Sequence, residues 1–277
     1  MGRTNFKDER ILIKMKLDVI LRTCKKSTLE NNLKDKSPQY HRICGDDREK
    51  MIFRCIKSLI KSISKSEHDI KLTVLDDNSD VNFLIKLDKL LSSCSKSVDL
   101  IQLDESGFNN SAYQQFKLAS ECKDLVYTVE DDYLHEEDAI DNMIVAYNYF
   151  FSVFKLGTVI FPFDCPFRYE SGKEEHTLLL HDGTRYWRQV KHTSYTILTH
   201  SSIFKKHLDV FSKLALEYPK VNEEHTINKL YKSVISNEGE LCVFNPIPSV
   251  AYHLSYQEPV SIKTTHLNWK NLWDNYE

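Results

Sequence analysis

The chain has 277 residues with 37 basic and 40 acidic side chains, a formal charge of −3, so no basic footprint for a nucleic acid runs through it. Hydrophobic residues at 41% and charged residues at 28% mark a globular protein, and the length is enough for one large α/β core. The seven cysteines (24, 44, 55, 94, 122, 165 and 242) form no C-x-x-C pair, which excludes a disulfide framework or zinc knuckle and leaves small buried hydrophobes of a reducing compartment.

Residues 1–16 are charged, with only the short apolar patch Ile11-Leu12-Ile13. No apolar run approaches the ~18 residues of a membrane span and no signal-peptide pattern is present, so the expected location is the cytoplasm. Residues 17–21 read as a short apolar strand ending at Arg22, followed by a polar loop from Lys25 to Asp47. Ile52, Cys55, Ile56, Leu59, Ile60 and Ile63 recur at spacings of three and four, the stripe of an amphipathic helix. Residues 70–75 alternate at first and run into Asp76-Asp77-Asn78-Ser79-Asp80. Strand, helix and strand at this spacing make a βαβ unit with acids at its carboxyl end.

The rhythm continues with a strand over 98–103 and the loop Gly107-Phe108-Asn109-Asn110-Ser111, which supplies cap residues for a helix near 112–120. Residues 125–129 are a buried-type strand that ends on Glu130-Asp131-Asp132. A helix carrying Ala139, Ile140, Met143, Ile144, Tyr147, Phe150, Phe151 and Phe154 follows, then a strand over 158–163. After about residue 165 the pattern changes: residues 176–180 and 184–190 flank Asp182-Gly183 as a hairpin. The spacing then predicts a strand over 194–199, a helix from Ser201 to about Tyr218, and a helix from Asn222 to about Ile235. A last strand near 241–244 leads to Pro246-Ile247-Pro248 and Val250-Ala251-Tyr252-His253, and residues 92–97 read as a solvated loop.

Ligands of open α/β sheets gather beyond the carboxyl ends of strands, and two strands here end in carboxylates: Asp76-Asp77 and Glu130-Asp131-Asp132. Acids brought together at one sheet edge repel unless a cation or donors compensate. Magnesium or manganese bridging phosphate oxygens answers that need with few protein carboxylates. Either cluster alone is equally well a solvated loop; together they carry information.

The order strand, helix, strand-Asp-Asp, Gly-x-Asn-x-Ser, strand-Glu-Asp-Asp resembles family 2 glycosyltransferases of the GT-A type over roughly residues 17–150, and more loosely over 158–255. The resemblance implies one domain over 1–277: a Rossmann-like GT-A nucleotide-sugar-binding fold with a mixed, mostly parallel sheet flanked by helices. About 17–165 is then the nucleotide-sugar half, about 166–255 the acceptor half and 256–277 a tail. It implies transfer of a sugar from a nucleotide-diphosphate donor to a hydroxyl of a glycan or related acceptor, with Mn2+ or Mg2+ as cofactor and inversion as the outcome. Asp77, with Asp76 beside it, matches the acid that reads the nucleoside. Val129-Glu130-Asp131-Asp132-Tyr133 stands at the D-x-D position, with Glu130 near the donor sugar, Asp132 on the metal and Asp131 able to share either role. Glu in the first position departs from the usual Asp by one methylene.

Asn222-Glu223-Glu224-His225 falls where inverting members carry an acidic pair, so Glu224 and then Glu223 are the candidate bases, against the plain alternative of first-turn acids that favour the helix dipole. His253 is the candidate histidine ligand, with His135, His225 and His266 as competitors. Developing charge on a departing diphosphate calls for cations: Arg22, Arg185 and Arg188 first, then Arg42, Arg48 and Lys50. Trp187 is the candidate acceptor-stacking ring, an aromatic equally suited to a core. Phosphate-cradling Gly-rich loops and a Gly-x-Ser-x-Gly elbow are absent from the sequence. The rivals are a sugar-nucleotide nucleotidyltransferase, for which the Gly-rich loop after the first strand is missing, and an inactive GT-A-like scaffold that only binds glycans or partners.

Overall fold

The computed structural model describes residues 14–25, 47–165, 177–232, 239–254 and 269–277. Strand β1 (Lys16–Thr23), helix α1 (Arg48–Lys65) and strand β2 (Asp69–Asp76) form the expected βαβ unit, β1 and β2 pairing in parallel from Lys16↔Asp69 to Thr23↔Asp76. Asp47 caps α1 by accepting from the Lys50 N–H, and the predicted stripe Ile52, Cys55, Ile56, Leu59, Ile60, Ile63 is buried. Helix α2 (Val81–Leu91) follows, capped by Asp80. The sequence reading passes over it because its core face is only Phe83, Leu87 and Leu91, while Val81 and Ile85 are exposed and blur the period.

The remaining elements are β3 (Ser97–Gln102), α3 (Phe108–Glu121), β4 (Leu125–Glu130), β5 (Tyr133–His135), α4 (Ala139–Phe154), β6 (Gly157–Ile160), β7 (Leu179–His181), β8 (Tyr186–Val190), β9 (Ile197–His200), α5 (Ser201–Lys206), α6 (Leu208–Glu217), β10 (Leu241–Ile247), β11 (Ala251–His253) and α7 (Trp269–Asn275). Nine strands form one sheet in the order β3-β2-β1-β4-β9-β6-β10-β8-β7, and β5 pairs with β11 in a second, two-stranded sheet. Within the large sheet β8 and β9 run against the other strands, so the sheet is mixed and mostly parallel. Helices α1, α2 and α4 pack together as one layer, and α3, α5 and α6 as another. The core between them includes Leu17, Val19, Leu72, Val74, Phe116, Val126, Tyr127, Phe150 and Phe244.

Two helix expectations are corrected. The helix from Ser201 breaks at His207, which closes α5 and opens α6 with non-helical backbone. The helix from Asn222 is instead two short 3-10 turns, Glu223–His225 and Ile227–Leu230, separated by Thr226. Tyr231 then bridges to Leu241, and residues 233–235 lie outside the described residues.

Candidate functional site

Chain order sets the position of the site. From β1 the chain steps outward to β2 and β3, then returns to β4 on the opposite flank of β1. The crevice between β1 and β4 is therefore a topological switch point, where open α/β sheets bind ligands. Register places Arg22 opposite Glu130 across that crevice and Thr23 opposite Asp76 on the outer side. With strands ~4.8 Å apart, the ends of β2 and β4 stand about 10 Å from each other.

Arg22 is buried, its Nη2 2.8 Å from Glu130 Oε1 and its Nη1 3.5 Å from Ser111 Oγ. Its guanidinium carbon lies 4.4 Å from the Phe108 ring centre and 5.5 Å from that of Tyr195. Such a cation is held by charge and by two ring faces. Thr196 Oγ1 is 3.4 Å from Glu130 Oε2 and also receives the Glu130 backbone N–H. Burial pushes the Glu130 carboxyl up to about 7, with Arg22 pulling it back and Asp132 adding to the rise.

Asp132 and His253 meet beside this pair, with Nε2 3.1 Å from Oδ2. Their approach is built by the small sheet, in which His253 pairs with Tyr133 and stacks on its ring at 4.7 Å. The Leu254 N–H donates to the Asp132 carbonyl at 2.9 Å and ties the two segments together. Burial works against a charged His253 ring, but the facing Asp132 carboxylate outweighs it and holds the imidazole above its ordinary pKa.

The neighbouring acids part company. Asp131 accepts from Thr23 Oγ1 at 2.9 Å, from the Cys24 N–H at 3.0 Å and from Arg48 Nη2 at 3.2 Å. It braces β1 and the start of α1 to β4. Arg48 is thereby committed too, the Asp131 carboxylate raising its pKa against the opposing effect of burial. Asp76 is 0% exposed, and its Oδ2 accepts the Ser79 N–H at 2.9 Å. It shapes the turn after β2, and burial raises its pKa. Asp77 is the acid at the sheet edge. Its Oδ1 takes the Gly107 N–H at 2.7 Å, where Gly107 has φ 122°, a backbone that side-chain-bearing residues rarely adopt.

The Gly-x-Asn-x-Ser segment has structural work to do. Asn109 Nδ2 donates to the carbonyls of Leu216 and Tyr218 and so fastens α3 to the end of α6.

In the second half the expectations fare less well. Trp187 is 0% exposed, edge-on to Phe150, with its indole N–H on Asp182 Oδ2 at 2.8 Å. A buried ring offers no face to an acceptor, so Trp187 is a core residue. Arg188 lies on β8, four strands or about 19 Å from β4, with Nη1 3.8 Å from Asp164 Oδ1. Asp164 directly follows Phe163, whose ring stands 6.1 Å from that of His253. Arg185 holds the carbonyl of Pro248 and the carboxylate of Glu136. Glu224 is exposed, whereas Glu223 is half-buried with its pKa raised first by burial and then by Glu224. The Glu223 charge adds to the rise that burial gives the pKa values of Tyr195 and Tyr231. Among the competing histidines, His135 is buried against the Tyr127 hydroxyl, His225 is exposed, and His266, like Arg42, lies outside the described residues.

Tyr195 and Thr196 are the site residues that sequence reasoning missed. They stand just before β9 in a stretch with no charge or motif, and only the pairing of β9 beside β4 brings them to Glu130.

No protein-family model and no curated protein matches the chain. Solved structures are similar in shape. The S. aureus protein TarS, residues 1–349 in complex with UDP, gives a TM-score of 0.48 at 15% identity, covering 83% of this chain and 60% of that one. The galactosyltransferase LgtC with donor and acceptor sugar analogs gives 0.44 at 12%, covering 82% and 72%. The mannosyltransferase PcManGT from Pyrobaculum calidifontis, with GDP-Man and Mn2+, gives 0.37 at 11%, covering 56% and 37%. The chain thus spans 60% or less of the TarS and PcManGT chains. At such identities and scores the likeness carries no argument about chemistry, which has to be read from this chain's own side chains. Among the described residues no helix is long and apolar enough to cross a membrane.

Proposed function

We propose that the protein is a metal-dependent glycosyltransferase that moves a sugar from a nucleotide-diphosphate donor to a hydroxyl acceptor. The observation that carries this is the Asp132–His253 pair beside Arg22–Glu130 at the switch point of the sheet. Two ligands at ~2.1 Å from one octahedral ion, at right angles, are about 3 Å apart, and Asp132 Oδ2 and His253 Nε2 are separated by 3.1 Å. Among the described residues no three His, Cys, Asp or Glu side chains converge on one point. A two-ligand site suits Mn2+ or Mg2+, which take their other ligands from water and phosphate. An ion held by Asp132 and His253 would supply Lewis-acid neutralisation of the diphosphate.

The chain's own residues do the rest. Asp77, just after β2, accepts hydrogen bonds from the nucleoside. Arg22 and Glu130 line the crevice at the donor sugar, Arg22 fixing the carboxylate and adding positive charge where the leaving diphosphate gathers negative charge. Glu223 is the better base: its carboxylate removes the acceptor hydroxyl proton as that oxygen attacks the anomeric carbon. The bond from that carbon to the phosphate oxygen breaks, its electron pair leaves with the diphosphate, and the configuration inverts. Burial raises the pKa of Glu223 and makes it a stronger base than an exposed glutamate.

A panel of UDP- and GDP-sugars, the nucleotides in the similar structures' complexes, tests this with and without Mn2+. Release of UDP or GDP that needs the ion supports the reading. Calorimetry in which neither UDP nor GDP binds in the presence of Mn2+ refutes it.

A further inference from the structure

Beside the main core lies a second apolar cluster of Met51 and Cys55 from α1, Leu134 from β5, Tyr252 and Leu254 around β11, and Tyr276 beyond α7. Leu272 and Trp273 of α7 pack against it half-buried. Tyr252 and Leu254 flank His253 in the chain, and Leu134 is two residues from Asp132. Strands β5 and β11 are three residues each, and a two-stranded sheet of that size does not hold itself together in water. What backs it is α1 on one side and α7 on the other.

Arg54 makes polar contacts with α7 and with Glu277 beyond it. Arg54 of α1 is buried, its guanidinium 4.3 Å from the Trp273 ring, with Nη1 donating to the Trp273 carbonyl at 3.2 Å and Nη2 3.0 Å from Glu277 Oε1. Lys57 Nζ adds a bond to the Glu277 carbonyl at 3.0 Å. A buried cation that loses such partners is strongly destabilising, so the docked state of α7 is coupled to the packing beneath it.

We infer that α7 is a latch that positions His253 against Asp132, with Trp273 and Arg54 as its catch. Trp273 touches neither the donor nor an ion; it is a positioning residue acting through Tyr252 and Leu254. The inference rests on the reading that Asp132 and His253 hold the metal.

Calorimetry of UDP binding, once in Mn2+ and once in EDTA, on the full chain separates this role from plain stability. Trp273→Ala is expected to cut the Mn2+-dependent gain in UDP affinity about tenfold, the usual scale for losing a group that orients a ligand, while affinity in EDTA stays put. Trp273→Phe, which keeps a ring over Arg54, is expected to retain the gain. Should Trp273→Ala fail to fold, Arg54→Met serves in its place with the same expected loss. A lowered melting temperature with an unchanged Mn2+-dependent gain would overturn the latch and leave the metal reading standing. Absence of any Mn2+-dependent gain in the unmutated chain would instead remove the metal reading, and the latch with it.

Discussion

His253 Nε2 and Asp132 Oδ2 stand 3.1 Å apart, where the two-stranded sheet of β5 and β11 meets the end of β4. A carboxylate and an imidazole from segments 121 positions apart in the chain are brought within hydrogen-bonding distance. The contact depends on a strand pairing that carries no motif, and it divides the acidic run: Asp132 goes to the histidine, Glu130 to Arg22 and Asp131 to Arg48.

Removal of either partner should be felt through the metal. Asp132→Asn and His253→Gln are each expected to reduce the Mn2+-dependent part of UDP binding by ~10-fold or more, with metal-free binding unchanged. Titration calorimetry on both variants checks this. Equal Mn2+-dependent binding in either one would take that residue out of the metal site.

Asp77→Asn is expected to weaken donor binding by ~1.5–3 kcal/mol, one to two powers of ten, through loss of a hydrogen bond to a charged group. The asparagine Oδ1 can still accept the Gly107 N–H, so the loop after β3 stays in place. Melting temperature should hold while UDP affinity falls. A fall in both together would mean that Asp77 serves the loop and not the ligand.

Most of the fold was legible because its determinants are local. Residues 52–63 write a helical stripe, residues 70–75 and 125–129 write buried strands, and the acids stand directly after them. Asp77, Glu130 and Asp132 could be named for the same reason. The division of labour within Glu130-Asp131-Asp132 could not, since it depends on Thr23, Cys24 and Arg48 arriving from β1 and α1. For Trp187 the letters leave an acceptor-stacking ring and a core ring equally open; alternation on β8 turns the ring inward and Asp182 satisfies its N–H. Glu223 and Glu224 are indistinguishable as letters; a 3-10 turn decides which one is half-buried.

Trp187→Ala is expected to cost ~3–5 kcal/mol, the scale for removing a large buried aromatic. Urea unfolding measures this. Acceptor saturation by the folded fraction should be unchanged, and a raised acceptor KM at normal stability would return Trp187 to the binding site.

Stability should also carry the mark of His135, whose burial against Tyr127 pushes the imidazole from 6.5 down to about 3. The folded pKa lies below the unfolded one, so between them the unfolded chain takes up a proton that the native state refuses. This contribution is complete above the unfolded value and is lost as pH falls toward the folded one. From about pH 6.5 to about pH 5 the loss from this group is about 2 kcal/mol. Buried Asp76 and half-buried Glu130, Glu136 and Glu223, with raised pKa values, work in the opposite direction, so a comparison with His135→Gln isolates the histidine. Parallel stability–pH curves for the two proteins would show that His135 is not buried as a neutral ring.

The chemical step offers the sharpest contrast, because two adjacent glutamates predict different kinetics. Glu223 is half-buried, whereas Glu224 is exposed in the same 3-10 turn. If Glu223 takes the acceptor proton, Glu223→Gln should keep donor affinity and lose ~10²–10⁴ in transfer rate. Glu224→Gln should stay near full turnover and shift stability by at most a few tenths of a kcal/mol, as expected for an exposed side chain. The pH profile adds a second readout. Burial raises the Glu223 pKa, so turnover limited by the free carboxylate should climb with pH through a value above that of an ordinary glutamate. That limb should vanish in Glu223→Gln and persist in Glu224→Gln. Loss of turnover in Glu224→Gln with Glu223→Gln active would reverse the assignment, and full turnover in both would place the base elsewhere.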